Sequence, residues 1–114
     1  MNDVNAATVQ SALDARLSDP IILETPIVRG ETAIDTITLR KPKGGELRGL
    51  SLQDLMKSDV TALITVLPRI ALPVITTREA ADLEPQDLAA CAGAVISFFM
   101  TAAEKEQMQA MLKG

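Results

Sequence analysis

The hydrophobic period of this chain becomes strand-like at Ile21 and helical after Lys41-Pro-Lys-Gly-Gly45, and that second change limits the fold more than any other feature. From Ile21 up to it, β-branched residues dominate and the two sides alternate; after it, apolar residues return at helical intervals. With 114 residues there is room for one modest domain. The expected fold class is therefore α+β, mostly α: an N-terminal β-hairpin followed by a small helical bundle. Residues 1–19 are expected as a flexible N-terminal arm and 20–114 as the single domain, with the hairpin at 21–40 and the helical part at 45–112.

The first strand is read from Ile21 to Val28, where Pro26 restricts it to a sheet edge or a strand end. Arg29-Gly30-Glu31-Thr32 supplies a turn, with Gly30 free to take a positive φ. In the run Ile34–Arg40, Ile37 and Leu39 share one face and Thr36 and Thr38 the other. A lone hairpin is marginal in water, so it must pack on the helices downstream. Upstream, the arm carries only widely spaced apolar positions, Val4, Val9 and Leu13. A short amphipathic turn over Val9, Ala12, Leu13 and Leu17 is too short to be stable alone.

Helix starts punctuate the second part. Leu47, Leu50, Leu52, Leu55 and Met56 recur at helical spacing, with Ser51 as an N-cap. Asp59 caps the next helix, whose stripe is Val60, Leu63, Ile64 and Leu67, and Pro68 marks its last turn or a kink. Ile70–Ile75 reads as an apolar connection. Thr76 and Glu79 have the spacing of a capping box, opening a short helix that ends near Leu83. Glu84-Pro85-Gln86-Asp87 opens the last helix, with Pro85 at its first position. Its stripe is Leu88, Ala92, Val95 and Phe99, widened by Cys91, Ile96 and Phe98. The pattern runs on to Leu112 with Gly93 as its one breaker.

Composition then excludes whole classes of chemistry. There is no His, Trp or Tyr, one Cys, and two aromatics, Phe98 and Phe99. Histidine acid–base catalysis, a structural zinc site and an internal disulfide are out of reach. Ser97 and Thr101 have no histidine to activate them, and Cys91 reads as a small buried hydrophobe. Asp82, Glu84 and Asp87 lack the spacing and glycine of a calcium loop and serve helix starts instead, and Glu79, Asp82 and Asp87 as paired catalytic carboxylates lack substrate-binding aromatics and a defined nucleophile. A net charge of −4 and a pI near 4.7 oppose general nucleic-acid binding. The N-terminus lacks a basic start followed by an apolar run, and the nearly uncharged stretch Cys91–Ala103 is short of the ~20 residues that span a bilayer. A cytoplasmic binder without cofactor or enzymatic activity is the expectation, with no nucleic-acid or membrane partner.

The order of short motifs adds a family resemblance. "PI" ends the first strand, Ile37-Thr-Leu-Arg-Lys-Pro42 forms the second, and Gly44-Gly-Glu-Leu-Arg-Gly-Leu50 opens the helices. "LP" and the block from Thr77 through Leu83-Glu-Pro-Gln-Asp87 to Phe99 complete the series. Over about Ile21 to Met100 this arrangement resembles the small tail assembly chaperones of tailed phages and Mu-like prophages. The resemblance implies a non-enzymatic protein that coats the long, aggregation-prone tape measure protein until tail tube subunits polymerise around it. It also implies that the chaperone leaves before the virion matures, and that many relatives have a longer, frameshifted form that recruits tube subunits. The expected partners are thus the tape measure protein, the tail tube protein and further copies of the chain. The competing expectation is a small structural tail or connector component retained in the virion.

For such a role an adaptable apolar helix face suits better than a rigid pocket, and methionine supplies one. The expected client-binding residues are Phe99, Met100, Met108, Met111 and Leu112 at the C-terminal end. The local basic cluster Arg40, Lys41, Lys43 and Arg48 is the expected electrostatic contact, weighed against a solvated strand-to-helix junction. An exposed hairpin edge offers a route to self-association, limited on its strand by Pro26.

Overall fold

The computed structural model describes residues 16–113. Ile21–Arg29 forms β1 and Thr32–Leu39 forms β2, paired antiparallel. Gly30 begins the tight turn between them at φ +56°, where a type II′ hairpin takes glycine because the left-handed region costs it little. The ladder is interrupted. Ile21 and Ile22 face Ile37 and Thr36, and Ile27, Val28 and Arg29 face Ile34, Ala33 and Thr32, so Leu23–Pro26 lie opposite Asp35 alone.

This bulge turns backbone N–H groups of β1 away from the ladder, and a distant carboxylate collects them. Asp87 accepts from Glu24 N–H at 2.8 Å and from Thr25 N–H at 3.2 Å. Pro26 lies in the same bulge, where its missing N–H removes no ladder bond. The sheet order β1-β2-β3 puts it on an edge strand, as its chemistry requires. The bulge also shifts the alternation, so Ile34, Ile37 and Leu39 are all buried although Ile34 and Ile37 differ in parity.

Ala71–Leu72 forms β3, which pairs with Leu39 and Thr38. The run expected as a plain connection therefore adds a third strand to the hairpin. Two residues show no alternation by which to read a strand. On the opposite flank Leu17 bridges Arg40, Ser18 N–H donates to Leu39 O at 2.7 Å, and Lys41 N–H donates to Arg16 O at 2.6 Å. Most of the arm expected over 1–19 lies outside the described residues, and its end at 16–18 is tied to the sheet by these bonds.

Among the described residues there are five α-helices: α1 Leu52–Met56, α2 Val60–Ile70, α3 Thr77–Ala81, α4 Pro85–Phe99 and α5 Ala102–Lys113. Four caps follow from side chains. Ser51 accepts from Asp54 N–H, Asp59 from Ala62 N–H, and Thr76 and Glu79 cap reciprocally. Thr101 and Glu104 do the same at 2.9 and 3.1 Å. Between α1 and α2, Ser58 takes φ +61° while Ser58 N–H reaches Leu55 O and Asp59 N–H reaches Asp54 O. That is a Schellman stop built without glycine.

Three expectations about the helices are corrected. In α2 the buried set is Ala62, Leu63, Val66, Leu67 and Ile70, whereas Val60 is 54% exposed, because its first turn projects past the core. In α1 only Leu55 is buried, and Leu52 and Met56 face outward. The stripe expected to continue to Leu112 stops at Phe99: Met100 is extended (ψ 139°) and the Thr101–Glu104 box starts a separate helix. The core is one cluster, with Ile37, Leu39, Leu55, Val66, Leu67 and Cys91 fully buried at its centre. α4 lies against β1, β2 and α1, while α2 meets α1 and α3. Each such buried aliphatic side chain stabilises the fold by about 1.5–3 kcal/mol relative to exposure.

Candidate functional site

The candidate site is an apolar trough along the face of α4 that turns away from the sheet. α4 is anchored on its other side by Asp87, Cys91 and Val95, which are buried, and buried Ala92 stands between that side and the trough. That leaves Leu88, Ala89, Gly93 and Ile96 to face outward or into contact with the start of α2. One half of the trough encloses about 480 Å³ among Val60, Leu63, Pro85, Leu88, Ala92 and Ile96, with Ser58 at its rim. A second half of about 380 Å³ lies between α4 and α5, lined by Ile96, Ser97, Met100, Lys105, Met108 and Gln109. Gly93 and Ile96 line both, so the two halves adjoin along α4. From Leu88 to Met100 a helix rises about 18 Å, room for a partner helix of three turns.

Gly93 is informative because nothing among the described residues requires it. An added Cβ would meet no atom within 4 Å, its φ is not in the left-handed region, and the residue is exposed. Glycine inside a helix costs about 0.5–1 kcal/mol relative to alanine. Here its effect is to leave the trough floor open to close approach.

The five expected client-binding residues do not form one patch. Phe99 is half-buried and packs with Phe98 against the core, and Met100 is half-buried and lines the trough. Met108 reaches into the trough from α5 and is 47% exposed, whereas Met111, at 81%, and Leu112 point into solvent. Val60, Leu88, Gly93 and Ile96 complete the trough but stand apart from that expected set. The sequence signal for them was a glycine in mid-helix between apolar positions.

The basic cluster collects at the strand-to-helix junction, but its first member is engaged within the chain. Arg40 makes a bidentate pair with Glu46 (Nη1 to Oε1 2.8 Å, and Nη2 to Oε2), and its Nη2 also donates to Arg69 O at 2.9 Å. Arg69 in turn donates to Glu46 O and Arg48 O, fixing the 3-10 turn Gly44–Leu47 on the end of α2. The hydrogen bond from Arg40, helped by Lys43 N–H, holds the Glu46 carboxyl at about 2. Lys41, Lys43 and Arg48 present their side chains to solvent.

Bond-making chemistry has little to work with here. Burial, reinforced by the Asp87 charge, pushes the Cys91 thiol up to about 11, so it stays protonated and is a poor nucleophile. Both Asp87 oxygens are committed to the β1 bulge rather than to its own helix start. Among the described residues no three Cys, Asp or Glu side chains converge as a metal site, and no helix is long and apolar enough to cross a membrane.

Comparison with known proteins finds a matching family and relatives in an Escherichia phage. The family model described as "Phage tail assembly chaperone proteins, E, or 41 or 14" matches residues 20–100. Tail assembly protein E of Escherichia phage P2 is 50% identical over 78 residues, covering 68% of this chain and 86% of that protein. Tail assembly protein E′ of the same phage is 49% identical over 80 residues, covering 70% of this chain and 56% of that protein. The match thus spans little more than half of that longer relative. No solved structure matches. The matched stretch runs from the residue before β1 to the residue after α4, sheet and trough floor included, and on that basis the chain belongs to the phage tail assembly chaperone family.

Proposed function

We propose that this chain binds and solubilises the tape measure protein during tail assembly, holding an amphipathic helix of it in the α4 trough. The carrying observation is the trough itself: two adjoining apolar hollows over a glycine that the packing of the described residues does not need. A helix that aggregates through its apolar stripe is kept soluble when that stripe is covered, and burial of apolar area supplies the driving force without directional bonds. Val60, Leu88, Ile96 and Met100 are the contacts assigned to the client. Phe99 supports them from the core side, and Met111 and Leu112 are given no part. Recruitment of tail tube subunits and departure before the virion matures belong to the same reading. The exposed cations Lys41, Lys43 and Arg48 lie on a separate surface, suited to an acidic partner or a second copy.

The test is co-expression with the cognate tape measure protein, scored as soluble complex. The chain keeps the client soluble, Ile96→Asp returns it to the pellet, and mass spectrometry of purified particles finds no copy of the chain. A soluble client without the chain, or a chain retained in the virion, defeats the reading.

A further inference from the structure

We infer that α5 is an intrachain latch on the trough, a weakly held resident that the client helix displaces. This rests on the trough being the client site. Three observations carry it. First, α5 starts after one extended residue, Met100, and the reciprocal Thr101–Glu104 cap satisfies its first turn locally. Its helical start therefore does not depend on where it docks. Second, no residue of α5 whose side chain is described is buried, and Met108 is its best-covered large apolar side chain. Third, Met108 enters the trough beside Gly93, Ile96 and Met100, two of which also line the open half.

A partner helix lying along α4 past Ile96 must therefore meet Met108. The contact is small enough to yield, since of the α5 side chains that line it, Lys105, Met108 and Gln109, one is apolar and that one is half-covered, and it is flexible enough to serve as a placeholder. Closed, the latch covers the part of the trough nearest Met100 and shortens the exposed apolar surface. Opened, it frees the full length from Leu88 to Met100. α5 lies outside the region matched by the family, so the latch is a property of this chain's C-terminal helix and the trough is a property of the body.

The experiment compares the full chain with Met108→Glu, Met111→Glu and Ile96→Asp for binding a fluorescent peptide from an amphipathic helix of the cognate tape measure protein. Unlatching by Met108→Glu raises affinity about fivefold, because the fraction of chains with an open trough rises toward one. Met111→Glu, at the solvent-facing end of the same helix, leaves affinity unchanged, and Ile96→Asp abolishes binding. A loss of affinity in Met108→Glu would make α5 part of the client surface and overturn the latch; an affinity equal to that of the unmodified chain would overturn it as well. If the peptide binds none of the four proteins, the client reading fails. The latch is then decided by methionine-methyl NMR with a soluble nitroxide. Met108 protected relative to Met111, with the protection lost in Ile96→Asp, supports it; equal broadening of the two methyls refutes it.

Discussion

α4 and α5 are consecutive helices of similar length, 15 and 12 residues, yet they stand in opposite relations to the rest of the molecule. α4 is held by a buried carboxylate at its first turn and by Cys91, Ala92 and Val95 along its length. α5 has a cap at its own start and meets the α4 trough through Lys105, Met108 and Gln109. Both carry apolar residues, but only α4 has them where a sheet waits to receive them. Helical pattern and burial are separate properties: the first comes from neighbours in the chain, the second from what the fold brings alongside.

The strongest way to break this contrast is to cut the anchor of α4. Asp87 is 1% exposed, and its replacement by Ala leaves two N–H groups of the β1 bulge without an acceptor. We expect a loss of about 3 kcal/mol in urea unfolding, with Asp87→Asn intermediate because it retains one acceptor oxygen. Next, Val95→Ala in α4 should cost about 2 kcal/mol by leaving a cavity, while Met111→Ala in α5 should stay within about 0.5 kcal/mol. Equal effects at the two positions would erase the distinction between body and appendage.

Acid sharpens the same comparison. The hydrogen bonds from Arg29, with help from Thr76 N–H, hold the Glu79 carboxyl at about 2, against an ordinary value of 4.5. A folded pKa below the unfolded one stabilises the protein above about pH 4.5, and that contribution disappears as the pH falls toward 2. Glu79→Gln should therefore flatten the fall of the urea midpoint across that window. Glu104, whose carboxyl is also lowered by the Thr101 backbone and hydroxyl, ties α5 to nothing but itself. Glu104→Gln should reduce helical circular dichroism slightly and leave the midpoint of the body unchanged. The smallest effect runs in the other direction: Gly93→Ala should stabilise the body by about 0.5–1 kcal/mol. It should also weaken client binding, because the new methyl group fills the trough floor.

Local chemistry was legible where a few adjacent residues decide the outcome. The Gly30 turn, the Ser51, Asp59 and Thr76 caps, Pro68 in a last helical turn and Pro85 at a helix start all follow from contacts within four residues. The Thr101-Ala-Ala-Glu104 box belongs to the same class. Its signal was present, but an uninterrupted apolar stripe around it favoured reading one long helix. β3 was beyond local reading, because two residues become a strand only when β2 lies beside them. The trough is half legible: Met100 and Met108 are among the expected contacts, while Val60 falls by spacing on the stripe of α2 and its position in the first turn leaves it outside the core.

By itself the sequence determined a hairpin followed by helices, an aliphatic core, and a chain without histidine chemistry, because period, capping and composition act through neighbours along the backbone. Only the tertiary structure decided that Asp87 would cross 63 positions to Glu24, that β1 would bulge to meet it, and that Gly93 would floor a channel rather than merely weaken a helix. Those outcomes depend on which surfaces remain uncovered after the core has closed, and that is a property of the packed molecule.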